Sequence, residues 1–149
     1  TDLGAKVDIF DPLLTFDFDK EIKSLLSNLE SYDLISFHLH AEGNENFFAE
    51  KFFQALKDDV VIVNTSRGEI VNHNDCLKFL SNNPRATYLT DVITNESSES
   101  VREELIDFAS QNNNLIVTQH IGGMTVGARQ LAFNRAVQNL LKEVKDSES

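Results

Sequence analysis

Four places in this 149-residue chain hold side chains suited to chemistry, and each follows a short apolar run. Gln119-His120-Ile121-Gly122-Gly123 comes directly after residues 115–118. A histidine there is the best single candidate for proton transfer near neutral pH. The two glycines behind it permit close approach of a ligand to the backbone. The other reading is a structural histidine that holds a turn. Asn64-Thr65-Ser66-Arg67-Gly68 comes after residues 60–63. Its arginine offers a fixed, permanently charged fork for a carboxylate, and Gly68 would let the chain turn sharply beside it. The weaker reading of Arg67 is one half of a surface ion pair. Asp91 and Glu96 follow residues 86–90, and two loop carboxylates are by default solvated. Asp11 follows residues 7–10 and precedes Pro12, so it is either a ligand-binding carboxylate or a turn aspartate.

The elements that must position these groups are legible as alternation. Residues 7–10, 34–39, 60–63, 86–90 and 115–118 read as strands. Val60-Val61-Ile62-Val63 is an unbroken β-branched run, the pattern of a strand covered on both faces. Between the strands, residues 19–29 place Ile22, Leu25, Leu26 and Leu29 on one helical stripe. Residues 49–56 carry Phe52, Phe53 and Leu56; residues 74–80 carry Leu77 and Leu80, with Asn72 or Asn74 as the cap. Residues 98–108 open with serines and acids, which suit a helix dipole. Residues 125–144 carry Ala128, Leu131, Ala132, Val137, Leu140, Leu141 and Val144.

Strand alternating with helix predicts an α/β fold with a parallel sheet, its faces covered by these stripes. Such sheets bind ligands beyond the carboxyl ends of their strands, where every candidate above falls. The expected architecture is a Rossmann-like doubly wound sheet, N-terminally incomplete over residues 1–149. No strand, G-x-G-x-x-G turn and helix occur in sequence here. Leu3-Gly4 reads as the end of a helix with Gly4 as its left-handed cap, so the first βα unit, roughly thirty residues, is expected to be missing. Gly122, Gly123 and Gly127 do not replace it: Ala128-Arg129 stands where a Walker loop needs Lys-Ser/Thr. In a dinucleotide site Asp11 would accept hydrogen bonds from the adenine-ribose hydroxyls and repel a 2′-phosphate. No repeat, low-complexity linker or second domain is visible, and residues 145–149 are expected to fray.

Composition narrows the classes further. A formal charge of −11 with scattered basic residues argues against nucleic acid as a partner. No apolar run approaches the ~20 residues of a membrane helix, so a soluble protein with no membrane partner is expected. The lone Cys76 allows no intrachain disulfide and fits a reducing, cytoplasmic compartment; it reads as a packed helix residue rather than a nucleophile. Asn64-Thr65-Ser66 and Asn95-Glu96-Ser97 are chance glycosylation matches. His38 and His40 share a strand face with no third ligand, so no metal site is expected. His73 reads as a solvated loop residue.

The order of the motifs adds what no single one carries. G-A-K-V-D-I-F-D-P, D-L-I-S-F-H-L, V-I-V-N-T-S-R-G-E-I-V-N, L-T-D-V and V-T-Q-H-I-G-G-M-T together resemble the D-2-hydroxyacid dehydrogenase family over residues 3–143. The N-T-S-R-G-E-I-V block combined with H-I-G-G-M-T is the specific part, and the latter is most similar to the 3-phosphoglycerate dehydrogenase branch. The resemblance implies an oxidoreductase that moves hydride between NAD and the alpha carbon of a D-2-hydroxy acid, 3-phosphoglycerate being a candidate. Carried over by position, Arg67 would bind the carboxylate of the 2-hydroxy or 2-oxo acid, His120 would be the acid/base, and Glu96 would orient the imidazole and favour its charged form. Asp11, the backbone about Leu39, Thr65, Ser66, Asp91, Gly122 and Gly123 would contact NAD. The resemblance further implies a longer parent that is a homodimer.

The chain also departs from the family pattern. It lacks the glycine-rich loop and the separate substrate domain. His40 and Gln119 stand where proline is usual, and Ile93-Thr94-Asn95 replaces a commonly aromatic, acidic and proline-bearing segment. Without a helix N-terminus for the pyrophosphate, the chain by itself is expected to bind NAD weakly and to be inactive. The competing readings are a non-catalytic, nucleotide-sensing corepressor and a bare interaction domain whose open sheet edge favours self-association. Retention of Arg67, Glu96 and His120 argues against the corepressor.

Overall fold

The computed structural model describes residues 4–11, 18–120 and 125–147. Helices and strands alternate as α1 (Phe18–Asn28), β1 (Leu34–Phe37), α2 (Glu50–Gln54), β2 (Val61–Asn64), α3 (His73–Asn82), β3 (Thr87–Thr90), α4 (Glu99–Gln111), β4 (Leu115–Val117) and α5 (Val126–Ser147). The four strands are all parallel and lie in the order β1-β2-β3-β4, with no reversal among the described residues. Of the two asparagines that could cap α3, Asn72 does so: its side chain accepts from the Asp75 amide at 3.1 Å. Thr125 does the same for α5 through the Ala128 amide.

Register decides which side chains share a face. Phe37, Ile62, Asn64, Tyr88, Thr90 and Leu115 point one way and are all buried. They meet Phe48, Phe52, Phe53, Cys76, Leu77, Leu80 and Leu105 in one core. Phe37 stacks on Phe48 with ring centroids 3.6 Å apart. Burying each such aromatic or aliphatic side chain is worth roughly 1.5–3 kcal/mol, so this face holds the domain together.

The other face is partly open. Leu34 and Ile116 are exposed, while Val61, Val63 and Leu89 are half-buried. The β-branched run at 60–63 is therefore fully covered on one side only, at Val60 and Ile62. The expectation of two covered faces is corrected. Strands that advance in one direction send successive right-handed crossovers to the same side of the sheet, which leaves the far side without them. The stripe on α5 is likewise unburied where its side chains are described. Leu131 and Val137 are 68% and 39% exposed, and the side chains of Leu140, Leu141 and Val144 lie outside the described residues. Periodicity reports which residues share a side of a helix, not what surface is placed against that side.

Residues 7–10, read above as a strand, form none. Val7 and Ile9 are exposed, and no ladder partner is present among the described residues. An extended apolar run becomes a strand only beside an edge with which to exchange hydrogen bonds. A side-chain bond tethers the segment: the Tyr32 hydroxyl donates to Asp8 Oδ2 at 2.9 Å, and this bond raises the Tyr32 phenol above its usual range. Gly4 has φ +78°, the left-handed conformation its expected cap role needs; what precedes it lies outside the described residues. No described helix is long and apolar enough to cross a membrane.

Candidate active site

Because the strands run parallel, their carboxyl ends form one rim. Arg67 comes three residues after β2, Asp91 one after β3, Glu96 six after β3 and His120 three after β4. The rim brings together what the chain separates by up to 53 residues, the span from 67 to 120.

The carboxylate-binding candidate is built on Asn64, the last residue of β2 and a wholly buried one. Its amide nitrogen donates to the Arg67 carbonyl at 2.9 Å and to the Tyr88 hydroxyl at 3.2 Å. Its oxygen accepts from the Ser66 amide at 3.1 Å and from Ser66 Oγ at 3.0 Å. The loop at 65–67 is thus wound around one buried amide whose donors and acceptor are satisfied within the protein. Ser66, expected at the cofactor, gives its hydroxyl proton inward. Thr65 is exposed at the loop tip. Arg67 is exposed, and its Nη1 donates to the Ser66 carbonyl at 2.7 Å, so the guanidinium folds back along its own loop. Asn64 was read above only as a letter of a motif. The available signal was a polar residue closing a β-branched run, where a buried side chain must find partners.

Gly68 is required for a different reason from the one read above. Its φ is not positive. A Cβ at this position would fall far inside the Ile93 carbonyl and Thr94 amide. The Arg67 loop and the loop that carries Glu96 therefore pack backbone against backbone, and only hydrogen fits between them.

Glu96 and His120 meet directly: Glu96 Oε1 lies 2.7 Å from His120 Nδ1, with both side chains about half exposed. Asn95 and His120 have φ +50° and +52°, left-handed conformations that asparagine and histidine adopt more readily than most residues. With Nδ1 turned to the carboxylate, Nε2 is the nitrogen left for a substrate. Asp91 sits beside this pair on the rim. Its amide donates to the Asn64 carbonyl at 3.0 Å and its carboxylate accepts from the Thr118 hydroxyl.

Asp11 is half-buried and, since residues 7–10 form no strand, it does not close a sheet strand as expected. Leu39 lies half-buried two residues beyond β1 and packs against the core. Gly122 and Gly123 lie outside the described residues. His73 is not a solvated loop residue: it opens α3, and its Nε2 lies 3.1 Å from Glu104 Oε2 on α4. Cys76 is buried, and burial pushes its thiol far up, which suits a packed residue.

Tyr88 gives the site a measurable alkaline limit. Burial, reinforced by the Cys76 sulfur beside it, pushes its phenol up to about 12 from 10.0, although hydrogen bonds with Thr90 and Asn64 pull the other way. A raised acid stabilises the fold fully below pH 10, and that contribution is lost as pH climbs toward about 12. The loss is on the order of 2 to 3 kcal/mol. Urea midpoints measured across this range are expected to fall less steeply for Tyr88→Phe than for the wild type. Equal slopes would remove Tyr88 from the account.

The parallel α/β rim thus carries an arginine, two carboxylates and a paired histidine at the strand ends, where such sheets bind ligands. The profile of the D-isomer specific 2-hydroxyacid dehydrogenases, NAD binding domain, matches residues 1–122. The chain belongs to that family. It is 29% identical over 112 residues to D-3-phosphoglycerate dehydrogenase of Haemophilus influenzae, covering 74% of this chain and 27% of the relative. It is 32% identical over 124 residues to erythronate-4-phosphate dehydrogenase of Bacteroides fragilis, covering 80% and 34%. Among solved structures, D-lactate dehydrogenase of Aquifex aeolicus complexed with NAD and lactic acid superposes with a TM-score of 0.66 at 20% identity, over 89% of this chain and 45% of that one. These values support the Rossmann-like fold. The chain spans about a third of the length of the curated relatives it matches.

Proposed function

We propose that this chain is the NAD-binding part of a dehydrogenase that interconverts a D-2-hydroxy acid and its 2-oxo acid. It carries Arg67, Glu96 and His120 as the reacting set. The observation that carries the reading is the Glu96–His120 pair on the same rim as the arginine loop. The rim also suits the nicotinamide end of NAD: the carboxylates of Asp91 and Glu96 favour a ring that is cationic when oxidised. Bound there, NAD supplies or accepts the hydride. Arg67 unfolds from the Ser66 carbonyl and takes the substrate carboxylate in a two-point grip, which fixes the orientation of the reacting carbon. His120 Nε2 gives its proton to the substrate oxygen in reduction and takes one in oxidation. Glu96 holds Nδ1, so that the ring cannot turn its working nitrogen away. Thr65, Ser66, Asp11, the Leu39 backbone, Gly122 and Gly123 remain the positions assigned to the cofactor. The phosphorylated names among the relatives make 3-phosphoglycerate the first substrate to try, and the cytoplasm and a homodimer complete the proposal.

The test is a steady-state assay of the parent polypeptide with NADH against a panel of 2-oxo acids, phosphorylated and not. Arg67→Ala is expected to raise KM for the 2-oxo acid by roughly 10- to 150-fold, the worth of one lost charge-assisted contact. The KM for NADH should change little. An unchanged KM for the acid would remove Arg67 from the carboxylate site, and no turnover with any 2-oxo acid would overturn the proposed activity.

A further inference from the structure

The rim holds two machines that must keep a set distance: a loop that grips a carboxylate, and a histidine–glutamate pair that handles a proton. Nothing in the pairing of β2 with β3 fixes that distance, because Arg67 and Glu96 both lie in loops beyond the last ladder bond. What joins the loops is local. Thr94 Oγ1 donates to the Gly68 carbonyl at 2.8 Å and lies 3.3 Å from the Val71 carbonyl. The Gly68 backbone lies flat against the Ile93–Thr94 peptide with no room for a methyl group between them. Thr94 is half-buried, so this bond is sheltered from competing water. Its own amide is part of Gly68's close contact, and it stands two residues before Glu96, in the segment where the chain departs from its family's usual pattern.

We propose that Thr94 is a positioning residue that latches the Glu96 loop to the Arg67 loop, so that the carboxylate grip and the His120–Glu96 pair move as one body. The proposal rests on the roles assigned to Arg67, Glu96 and His120, but the latch itself is a property of the 149-residue chain. Three features make the bond a latch rather than ordinary packing. The donor and acceptor belong to the two different functional loops. The acceptor carbonyl is on the residue immediately after Arg67. The van der Waals contact beside the bond leaves no slack to absorb its loss. Valine is nearly isosteric with threonine but has no donor, so it would leave the packing and remove the tie.

The experiment uses nuclear magnetic resonance on the 149-residue chain, which needs neither cofactor nor turnover. In Thr94→Val, the Arg67 Nε–H resonance and the His120 ring resonances are both expected to shift, and Thr94→Ser is expected to restore both. Loss of thermal stability in Thr94→Val with those resonances unmoved would overturn the proposal, since a purely structural threonine behaves so. If Thr94→Val does not fold, hydrogen exchange of the unaltered chain decides. The amides at 66–70 and 94–98 are expected to open together, with protection factors within about threefold; a difference greater than about tenfold would show loops that open independently and would overturn the latch. In the parent enzyme, Thr94→Val should lower kcat more than it raises KM for NADH. A parent with no 2-oxo acid turnover defeats the proposed function and leaves the resonance result standing, so the two failures are separable.

Discussion

Gly68→Ala is expected to be the most damaging single-methyl change among the described glycines. The added carbon would collide with the Ile93 carbonyl and the Thr94 amide, both backbone atoms that cannot swing aside as a long side chain would. Overpacking of a tight contact costs typically about 1–3 kcal/mol, and contact with backbone belongs at or above the top of that range. A domain of this size loses about 2–4 °C of melting temperature per kcal/mol, so a fall of about 6–12 °C is expected by calorimetry. Relief has only one route, separation of the loops at 66–70 and 93–96. That would break the Thr94–Gly68 bond and carry Arg67 away from Glu96. A variant that melts within about 1 °C of the wild type would mean that the two backbones are not in contact.

His120→Asn should show the opposite pattern, with a large loss of activity and little loss of stability. Asparagine tolerates the left-handed backbone at this position, so φ +52° is no added burden. The imidazole is half exposed and its pair with Glu96 is at the surface, where such pairs contribute about 0–1 kcal/mol. What disappears is the group proposed to move the proton. General acid–base catalysis is worth typically about 10²–10⁴ in rate, and kcat of the parent enzyme is expected to fall by that factor with the melting temperature nearly unchanged. Retention of more than about a tenth of wild-type kcat would show that another group handles the proton. The two variants together separate the frame from the chemistry: one moves groups that remain intact, and the other removes a group from an intact frame.

Much of this protein could be read from its residues in order. The strands at 60–63, 86–90 and 115–118 were legible because apolar runs between polar turns have few other uses. Four of the five expected strands formed, within a residue or two of the expected bounds. Arg67, Asp91, Glu96 and His120 could be singled out because each follows such a run, and in a parallel sheet that position alone puts a residue on the ligand rim. The Asn72 cap was likewise a local matter, decided by one side chain and an amide three residues on.

Other features depend on neighbours that sequence order does not reveal. Residues 7–10 have the composition of a strand but pair with no strand among the described residues, because a strand is made by its neighbour as much as by itself. The α5 stripe has the right period, yet Leu131 and Val137 are exposed, since a period names a side and not a contact. His73 looked solvated until α4 brought Glu104 beside it. Gly68 was read as a turn residue, and its actual requirement is the space taken by a peptide 25 residues later in the chain. The tie that Thr94 makes to the Gly68 carbonyl was invisible for the same cause. A hydrogen bond across two loops has no period, no spacing and no composition, and exists only once the chain has folded. Sequence alone determined most of the elements and the candidate groups at the strand ends, because those are set by local chemistry and order. Tertiary structure decided which faces are buried and how the loops at 65–68 and 93–96 are joined, because both depend on surfaces brought together from distant parts of the chain.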